Sequence, residues 1–357
     1  MTNRLEKQLQ KLQAASSQRD LLPAEEVPEV EVEEPSPAPV ATRASSSLRR
    51  RPKGDEQGDF FAPPLYDVGT RDNRAIMDVA VFRLSKKQLR ANTIIRYDLP
   101  DGFVEVSSGA YGMASVWDYD IVLMAISHLT EAMNRFRAGH GKKPGKHFRP
   151  HVSEVLKFCR REDGGKQYDS VIGALKRLST TTVFIERTKD AKGQSLLETD
   201  GESLIGPVKV ISNAKTGKVE FVQIKIADWM YEEVTTGTPD VLTVHPDYFL
   251  IEPALGRFLY RLARRAAGKD YASWGFATLH KRSGSTSKTK EFNRMLRELI
   301  EVNDLPEYDL HEKPGKRGPV LVMIFRGSID HLKEALSKEP TEDPPAEDPP
   351  AETPPES

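Results

Sequence analysis

The chain has 357 residues, of which 38% are hydrophobic and 29% are charged, and its mean hydropathy is −0.52. No apolar run approaches the roughly 20 residues that a membrane-spanning helix needs, and a single cysteine, Cys159, excludes an internal disulfide and a cysteine-based zinc site. Cys159 ends an apolar helical run and is predicted to be buried. The polar, charged N-terminus has no signal-peptide core, so we expect a cytoplasmic protein.

The net charge of −1 is unevenly distributed along the chain. The tail Lys338–Ser357 holds one lysine against seven acidic residues, and residues 1–60 hold nine basic against eleven acidic residues. The middle, Phe61–Ser337, therefore carries a net charge of +7. A basic globular centre with an acidic tail is typical of proteins that bind nucleic acid, because the partner is a polyanion.

Both ends of the chain are predicted to be disordered. Residues 1–60 are rich in Glu, Pro, Ser and Ala, and only Asn3–Leu12 has the pattern of a short charged helix. Residues 337–357 form an acidic, proline-rich tail that repels itself. The ordered part is predicted to consist of two successive domains, 61–236 and 237–336.

The first predicted domain begins with strands and continues with three helices. Strand-like runs lie at Met77–Leu84, Ile94–Leu99 and Phe103–Ser107, and helical patterns at Tyr119–Arg137, Pro150–Cys159 and Lys166–Leu178. His128, on the apolar side of the first helix, is predicted to be a packed core histidine. In the third helix, Ala174 and Arg177 are predicted to face outward. Two β-forming runs follow, Thr181–Thr188 and Lys218–Ile226, and we predict that they pair around a long polar stretch.

The second predicted domain repeats this order. A strand-like run at Val241–Phe249 precedes a helix at Pro253–Ala267, and the segment Trp274–His280 leads to a further helix that ends near Asn303. Small hydroxyl residues from Ser283 onward are predicted to cap that helix. The β-runs Tyr308–Leu310 and Val320–Phe325 are joined by a basic turn. Helix, turn, helix and strand pair is the order of a winged helix. The predicted fold class is therefore α+β, with two tandem winged-helix domains, each a helix-turn-helix plus a β-wing, and disordered N- and C-terminal tails.

The exposed faces of the two last helices supply the candidate DNA-contacting residues. Phe292, Leu296 and Leu299 form an apolar stripe, and basic and amide side chains fall on the opposite side, where they can meet phosphates and base edges. Solvated surface charge is the alternative for each of them. The candidates are Lys166, Gln167, Ser170, Lys176, Arg177, Ser287, Lys288, Lys290, Asn293, Arg294, Arg297, Lys313, Lys316 and Arg317. The arginines at 257, 261, 264 and 265 could equally pair with acidic residues between the two domains.

Motifs that carry catalysis are missing from the sequence. The run Gly139–Lys146 has the wrong glycine spacing for a phosphate-binding loop, and Pro144 removes a backbone donor. No His-x-His, His-Glu-x-x-His or Gly-x-Ser-x-Gly pattern occurs. We therefore expect a protein that is not an enzyme and that has no cofactor and no metal.

Seven segments resemble one known family, and their order along the chain makes the resemblance more specific than any single motif. They are Phe82–Lys86, Ile95–Tyr97, Gly112–Asp120, Tyr168–Val183, His245–Phe249, Arg257–Arg264 and Leu279–Ser285. Together they resemble the replication initiator protein A family of bacterial plasmids, over roughly Pro64 to Arg326.

The resemblance implies a plasmid-encoded initiator that binds repeats in the replication origin, promotes opening of the adjacent duplex and recruits host replication proteins. Its implied partners are double-stranded origin DNA, the host replicative helicase and initiator, and a second copy of the chain in a homodimer. A winged-helix transcriptional regulator acting on a promoter is the alternative function. A nuclease or strand transferase is a third, which would nick supercoiled origin DNA in the presence of magnesium.

Overall fold

The chain folds into helices and sheets whose order repeats along the sequence. The computed structural model describes Leu48 and residues 71–73, 77–99, 102–191, 194–215, 219–236 and 241–327. The predicted helix Asn3–Leu12, the predicted disorder of residues 1–60 and the acidic tail lie outside the described residues, apart from Leu48. Among the described residues, no helix is long and apolar enough to cross a membrane.

The described elements comprise seven α-helices, one 3₁₀ helix and twelve strands. The helices are α1 (Asp120–Arg137), α2 (Val152–Phe158), α3 (Gly165–Leu178), α4 (Asp228–Thr235), α5 (Ala254–Ala266), α6 (Phe276–Arg282) and α7 (Thr289–Val302), with the 3₁₀ helix at Pro246–Leu250. The strands are β1 (Arg71–Asn73), β2 (Ile94–Leu99), β3 (Gly102–Ser108), β4 (His147–Phe148), β5 (Thr181–Ala191), β6 (Gln194–Ser203), β7 (Val208–Ser212), β8 (Val219–Lys225), β9 (Val241–Thr243), β10 (Tyr271–Gly275), β11 (Tyr308–Gly315) and β12 (Gly318–Phe325).

Two three-stranded antiparallel sheets have the same topology. The first has the strand order β4-β8-β7 and the second the order β10-β12-β11, so in each the first strand pairs with the second strand of a later hairpin. A helix precedes the first strand and two helices lie between it and the hairpin: α1, α2 and α3 in the first half, and α5, α6 and α7 in the second. The two halves therefore share an order of helices and a pattern of strand pairing.

The strand pair predicted for the first half is wrong. β5, which contains Thr181–Thr188, pairs with β3 and β6, whereas β8 pairs with β4 and β7. β5 and β6 form an insertion that extends β2 and β3 into a four-stranded sheet in the order β2-β3-β5-β6. The hairpin equivalent to β11–β12 is therefore β7–β8. β7 lies in the stretch that was predicted to be long and polar, and β8 lies in the predicted β-run Lys218–Ile226.

Two further strand predictions fail for local reasons. The run Met77–Leu84 is not a strand: Met77 and Val79–Phe82 are almost fully buried, but the segment makes only one bridge, between Arg83 and Ser115. A continuous apolar run has no strand periodicity of its own. In the second predicted run, Val241–Phe249, only Val241–Thr243 is a strand. Pro246 then fixes the first turn of the 3₁₀ helix, and the side chain of His245 accepts a hydrogen bond from the Asp247 amide.

The two halves share one hydrophobic core within a single compact unit. At their junction Arg257 of α5 is 3% exposed and donates from Nη1 to both carboxylate oxygens of Asp120, at 2.6 and 2.9 Å. Its other nitrogens donate to the carbonyls of Ile251 and Phe249. Arg161 donates to Asp120 as well, and Arg160 pairs with Asp247 at 3.1 Å. Of the two alternatives for the α5 arginines, pairing between the halves is confirmed for Arg257.

His128 and Cys159 are both placed as the sequence predicts. Cys159 is 2% exposed. The His128 ring stacks against Phe148 at 5.1 Å between centroids and contacts Phe158 at 5.9 Å. Within the described part of the chain its Nε2 has no hydrogen-bond partner. Burial lowers the pKa of His128, against a smaller opposite effect of Glu154.

The lowered pKa of His128 makes stability depend on pH in a defined direction. The unfolded chain, with a histidine pKa near 6.5, takes up this proton before the folded protein does as the pH falls. The contribution of the buried, neutral His128 to the free energy of unfolding is complete above about pH 6.5 and is lost below it. We expect the melting temperature to fall more between about pH 7.5 and pH 5.5 in the wild type than in a His128→Leu variant. An equal fall in both proteins would show that His128 does not contribute to the pH dependence.

Candidate nucleic-acid interface

Helix α7 carries most of the predicted contact residues, and its local sequence explains its placement. Phe292, Leu296 and Leu299 are buried at helical spacing and hold α7 on the core. Asn303 ends the helix in the left-handed conformation (φ 48°), which asparagine tolerates, and its Oδ1 accepts a hydrogen bond from the Leu310 amide at 2.7 Å. The helix thereby leads directly into β11.

The predicted hydroxyl cap of α7 is wrong. Lys288 is the N-cap residue, and no side chain bonds to the first-turn amides. The hydroxyls of Ser285 and Ser287 bond to each other at 2.8 Å, and that of Ser283 donates to the His280 carbonyl at 2.8 Å. The hydroxyl groups therefore stabilise the turn before α7, and the amides of its first turn are left without a side-chain cap.

The outer side of α7 is exposed and combines both signs of charge. Lys290, Arg294 and Arg297 are exposed, but Arg294 forms ion pairs with Glu291 and Glu298 of the same helix. Hydrogen bonding from Arg294 lowers the pKa of Glu291. Arg297 reaches β11, where Glu312 accepts three hydrogen bonds from it, at 2.8, 2.9 and 3.2 Å. Exposed pairs of this kind are worth about 0–1 kcal/mol, so a phosphate or a base can replace the carboxylates at little cost.

Asn293 departs from the predicted exposed face. It is only partly exposed, and its Oδ1 is buried without a hydrogen-bond partner in the described part of the chain. On a helical wheel Asn293 lies between the buried stripe and the outer side.

The hairpin β11–β12 ends in a two-residue basic turn beside α7. Gly315 pairs with Gly318, so Lys316 and Arg317 form the turn, and both are exposed. Lys313 is partly buried, and burial lowers its pKa. The pair between Arg297 and Glu312 connects α7 with this hairpin, so the candidates on the two elements are neighbours on the surface.

Helix α3 is the counterpart of α7 in the first half, and its candidates are placed less uniformly. Lys166, Ser170 and Lys176 are exposed, and Gln167 is partly exposed. The Lys176 ammonium lies 5.6 Å from the centre of the Tyr111 ring. Ala174, predicted to face outward, is buried.

Arg177 does not fit the prediction of an outward-facing DNA contact. Its Nε and Nη2 donate to the two oxygens of the buried Asp118, at 2.7 and 2.9 Å, and hydrogen bonding to Asp118 raises the pKa of Arg177. The ion pair joins α3 to the segment before α1. Arg177 therefore holds the helix in position instead of presenting a free cation.

The basic residues of the β7–β8 hairpin were not among the predicted contact residues. Lys209 and Lys215 are exposed, and they belong to the hairpin that corresponds in topology to β11–β12. On the neighbouring surface Phe221 is exposed, with the Arg149 guanidinium 5.5 Å from its ring centre. The alternation of Val208–Ile211 was the available signal for this hairpin, but it does not reveal which strand is the partner.

Comparison with known proteins agrees with the resemblance seen in the sequence. A protein of Wigglesworthia glossinidia brevipalpis that is named as a replication protein is 26% identical over 258 residues, which cover 70% of this chain and 88% of the relative. Two crystal structures of domains 2 and 3 of RctB match with TM-scores of 0.47 and 0.46, each at 14% identity, covering 71% and 72% of this chain and 98% of theirs. That identity is too low to transfer residue roles.

The model of the family Replication initiator protein A matches residues 71–310, which is most of the described chain. The protein therefore belongs to the Replication initiator protein A family, and its role is in the initiation of replication.

Proposed function

We propose that the protein is a sequence-specific DNA-binding initiator, in which two tandem winged-helix units read repeats in a plasmid origin. The observation that carries the proposal is the matched topology of the two halves, each with two helices followed by a hairpin whose second strand pairs with an earlier strand. In winged-helix proteins the last helix enters the major groove. Here α3 and α7 would be the reading helices, and β7–β8 and β11–β12 the wings.

The charge of the surface supports DNA as the ligand. The wing turns carry Lys215, Lys316 and Arg317, all exposed, and such side chains contact phosphates in proteins that bind duplex DNA. On α7 the guanidinium groups of Arg294 and Arg297 can form the paired hydrogen bonds that guanine accepts in the major groove. The proposed role has no catalytic step, no cofactor and no metal.

Opening of the duplex and recruitment of host proteins complete the proposal. Two linked reading units can bend DNA, at a cost of order 1–6 kcal/mol that additional contacts offset. An A·T-rich stretch beside the repeats would melt most easily. The host helicase and initiator are the proposed partners at that stage, together with a second copy of the chain. A regulator acting at a promoter would bind without opening the duplex, so permanganate footprinting of unpaired thymines separates the two functions.

Binding to the origin tests the proposal directly. We expect the purified full-length protein to prefer a fragment of its own plasmid's origin over random DNA of the same length, with log K falling linearly as log salt rises. Fluorescence anisotropy across a salt series measures both quantities. Equal affinity for the two fragments at every salt concentration would contradict sequence-specific recognition.

Arg297→Ala tests whether α7 reads DNA. The expected loss of origin affinity is about 1–3 kcal/mol, with relaxed preference at one base position, because the guanidinium would no longer reach a base edge. Arg135→Ala is the matched control, since Arg135 is also an exposed arginine on a helix and also pairs with a glutamate, Glu131, at 3.1 Å. Unchanged origin affinity in Arg297→Ala would remove this side chain from the interface, and unchanged affinity in Arg294→Ala as well would remove α7.

A further inference from the structure

The turn between α6 and α7 is held in place by residues from the first half of the chain. The Ala80 amide donates to the Arg282 carbonyl at 2.9 Å, and Arg90 Nη2 donates to the Gly284 carbonyl at 2.5 Å. The Thr286 hydroxyl donates to Gln88 Oε1 at 2.5 Å. The segment Leu84–Arg90 is therefore fixed beside the start of α7, although about 200 residues separate the two in sequence.

Gly284 shows how closely the two parts approach each other. It adopts a positive φ of 58°, which glycine accepts without strain, and a Cβ at this position would lie 2.3 Å from the Tyr97 hydroxyl. That hydroxyl in turn donates to the Ala80 carbonyl at 2.8 Å. The position of the turn is thus determined by β2 and by the segment that precedes it.

Helix α7 is consequently flanked on both sides. On one side Arg297 contacts Glu312 of the hairpin β11–β12. On the other, Met295 and Glu298 face the segment Leu84–Arg90 across an open groove of about 1110 Å³. A helix that enters a major groove, which is about 12 Å wide, has a sugar–phosphate strand on each side. If α7 docks in this way, one strand passes the hairpin and the other passes Leu84–Arg90.

Two lysines are exposed on that second side. The Lys86 ammonium lies 4.6 Å from the centre of the Trp117 ring, which also lines the groove. Lys87 is exposed and has no acidic partner among the residues that the structure describes. We propose that Lys86 and Lys87 bind the phosphate backbone of the DNA strand opposite the hairpin. Residues from both halves of the chain then form the DNA-contacting surface around α7. This inference rests on the proposed function.

Acidic residues in the same groove allow a second prediction, in which removing a charge strengthens DNA binding. Glu298 is paired with Arg294, whereas Glu252 and Glu301 line the groove with no basic partner among the described residues. Glu301 lies near the C-terminal end of α7, about 18 Å along the helix from Thr289. A DNA strand that follows the groove would meet Lys86 and Lys87 at one end and Glu301 at the other. Glu301→Gln should therefore strengthen binding.

The test measures the salt dependence of origin binding by full-length variants. For the double variant Lys86→Ala/Lys87→Ala we expect the slope of log K against log salt to decrease in magnitude by about 1.8, close to 0.9 for each lost phosphate contact. Preference for origin over random DNA should remain, because phosphate contacts carry no sequence information. Ethylation interference should lose the corresponding phosphates on one strand only. Lys269→Ala is the control, since Lys269 is exposed beside Tyr271, whose pairing with Ile324 lies at the end of the sheet remote from the β11–β12 turn.

The outcomes separate this inference from the function on which it rests. A wild-type protein that does not prefer origin DNA overturns the proposed function itself. If the wild type prefers the origin and the double variant keeps the full salt slope, the function stands and the lysine contacts are refuted. Weaker DNA binding by Glu301→Gln would also count against a DNA strand in this groove. The melting temperatures of the variants should match that of the wild type, because all four replaced side chains are exposed.

Discussion

Replacing Asp120 by alanine is expected to lower the free energy of unfolding by about 3–5 kcal/mol. The Asp120 side chain is fully buried and accepts hydrogen bonds from Arg257 and Arg161. Removing one partner of a buried ion pair leaves an uncompensated charge in the interior, which is the costly way to break such a pair. Urea denaturation of the wild type and the variant at neutral pH measures the difference.

The matched control is Asp98→Ala. Asp98, in β2, is also paired with an arginine, Arg96, at 3.0 Å, but its side chain is 80% exposed. An exposed pair contributes about 0–1 kcal/mol, so this variant should unfold close to the wild type. If the two variants lost equal stability, the junction of the two halves would not depend on the buried carboxylate.

Under the proposed function, changing the spacing between the two sequence elements of an origin repeat should cost the protein most of its affinity. Since the halves share one core and a buried ion pair, α3 and α7 cannot separate to follow a longer site. Five inserted base pairs turn one element to the opposite face of the duplex. We expect affinity to fall to that of a single element, a loss of about 10²–10⁴-fold. Anisotropy titrations of a footprinted site and its insertion variants measure this loss.

An insertion of ten base pairs distinguishes a rigid protein from a tethered pair of domains. It restores the face of the duplex but moves one element about 34 Å along the axis. A flexible linker would recover part of the affinity at ten base pairs, whereas the shared core predicts none. Recovery at ten base pairs would therefore refute the rigid arrangement while leaving DNA recognition intact.

The sequence predicted the long helices well because they are amphipathic over many turns. The predicted spans for α1, α3 and α5 agree with the observed bounds to within one residue at each end. Strand pairing was harder to predict, since a strand's own residues do not identify its partner. β5 was assigned to the wing on its β-forming composition, yet its partners β3 and β6 form a separate sheet. The boundary between the two predicted domains stays a prediction.

For the candidate interface, the exposure of the side chains was easier to predict from the sequence than their ion-pair partners. Lys166, Lys290 and Arg294 are exposed as predicted from their helical positions. Arg177 shares that pattern but is bound to Asp118, which lies 59 residues earlier in the chain. Lys86 and Lys87 approach α7 only through the tertiary fold. Contacts between residues this far apart leave no periodic signal in a single sequence.

The pairing of β1 with β9 has a consequence for how the chain is synthesised. Arg71–Asn73 leave the ribosome 170 residues before their partners Thr243–Val241. At bacterial-type rates of about 5–20 residues per second, that interval is roughly 9–34 s. Throughout it the nascent first half has an open strand edge and an incomplete core. A translational pause before Val241 would lengthen this exposure, whereas a pause after Thr243 would give the two strands time to pair.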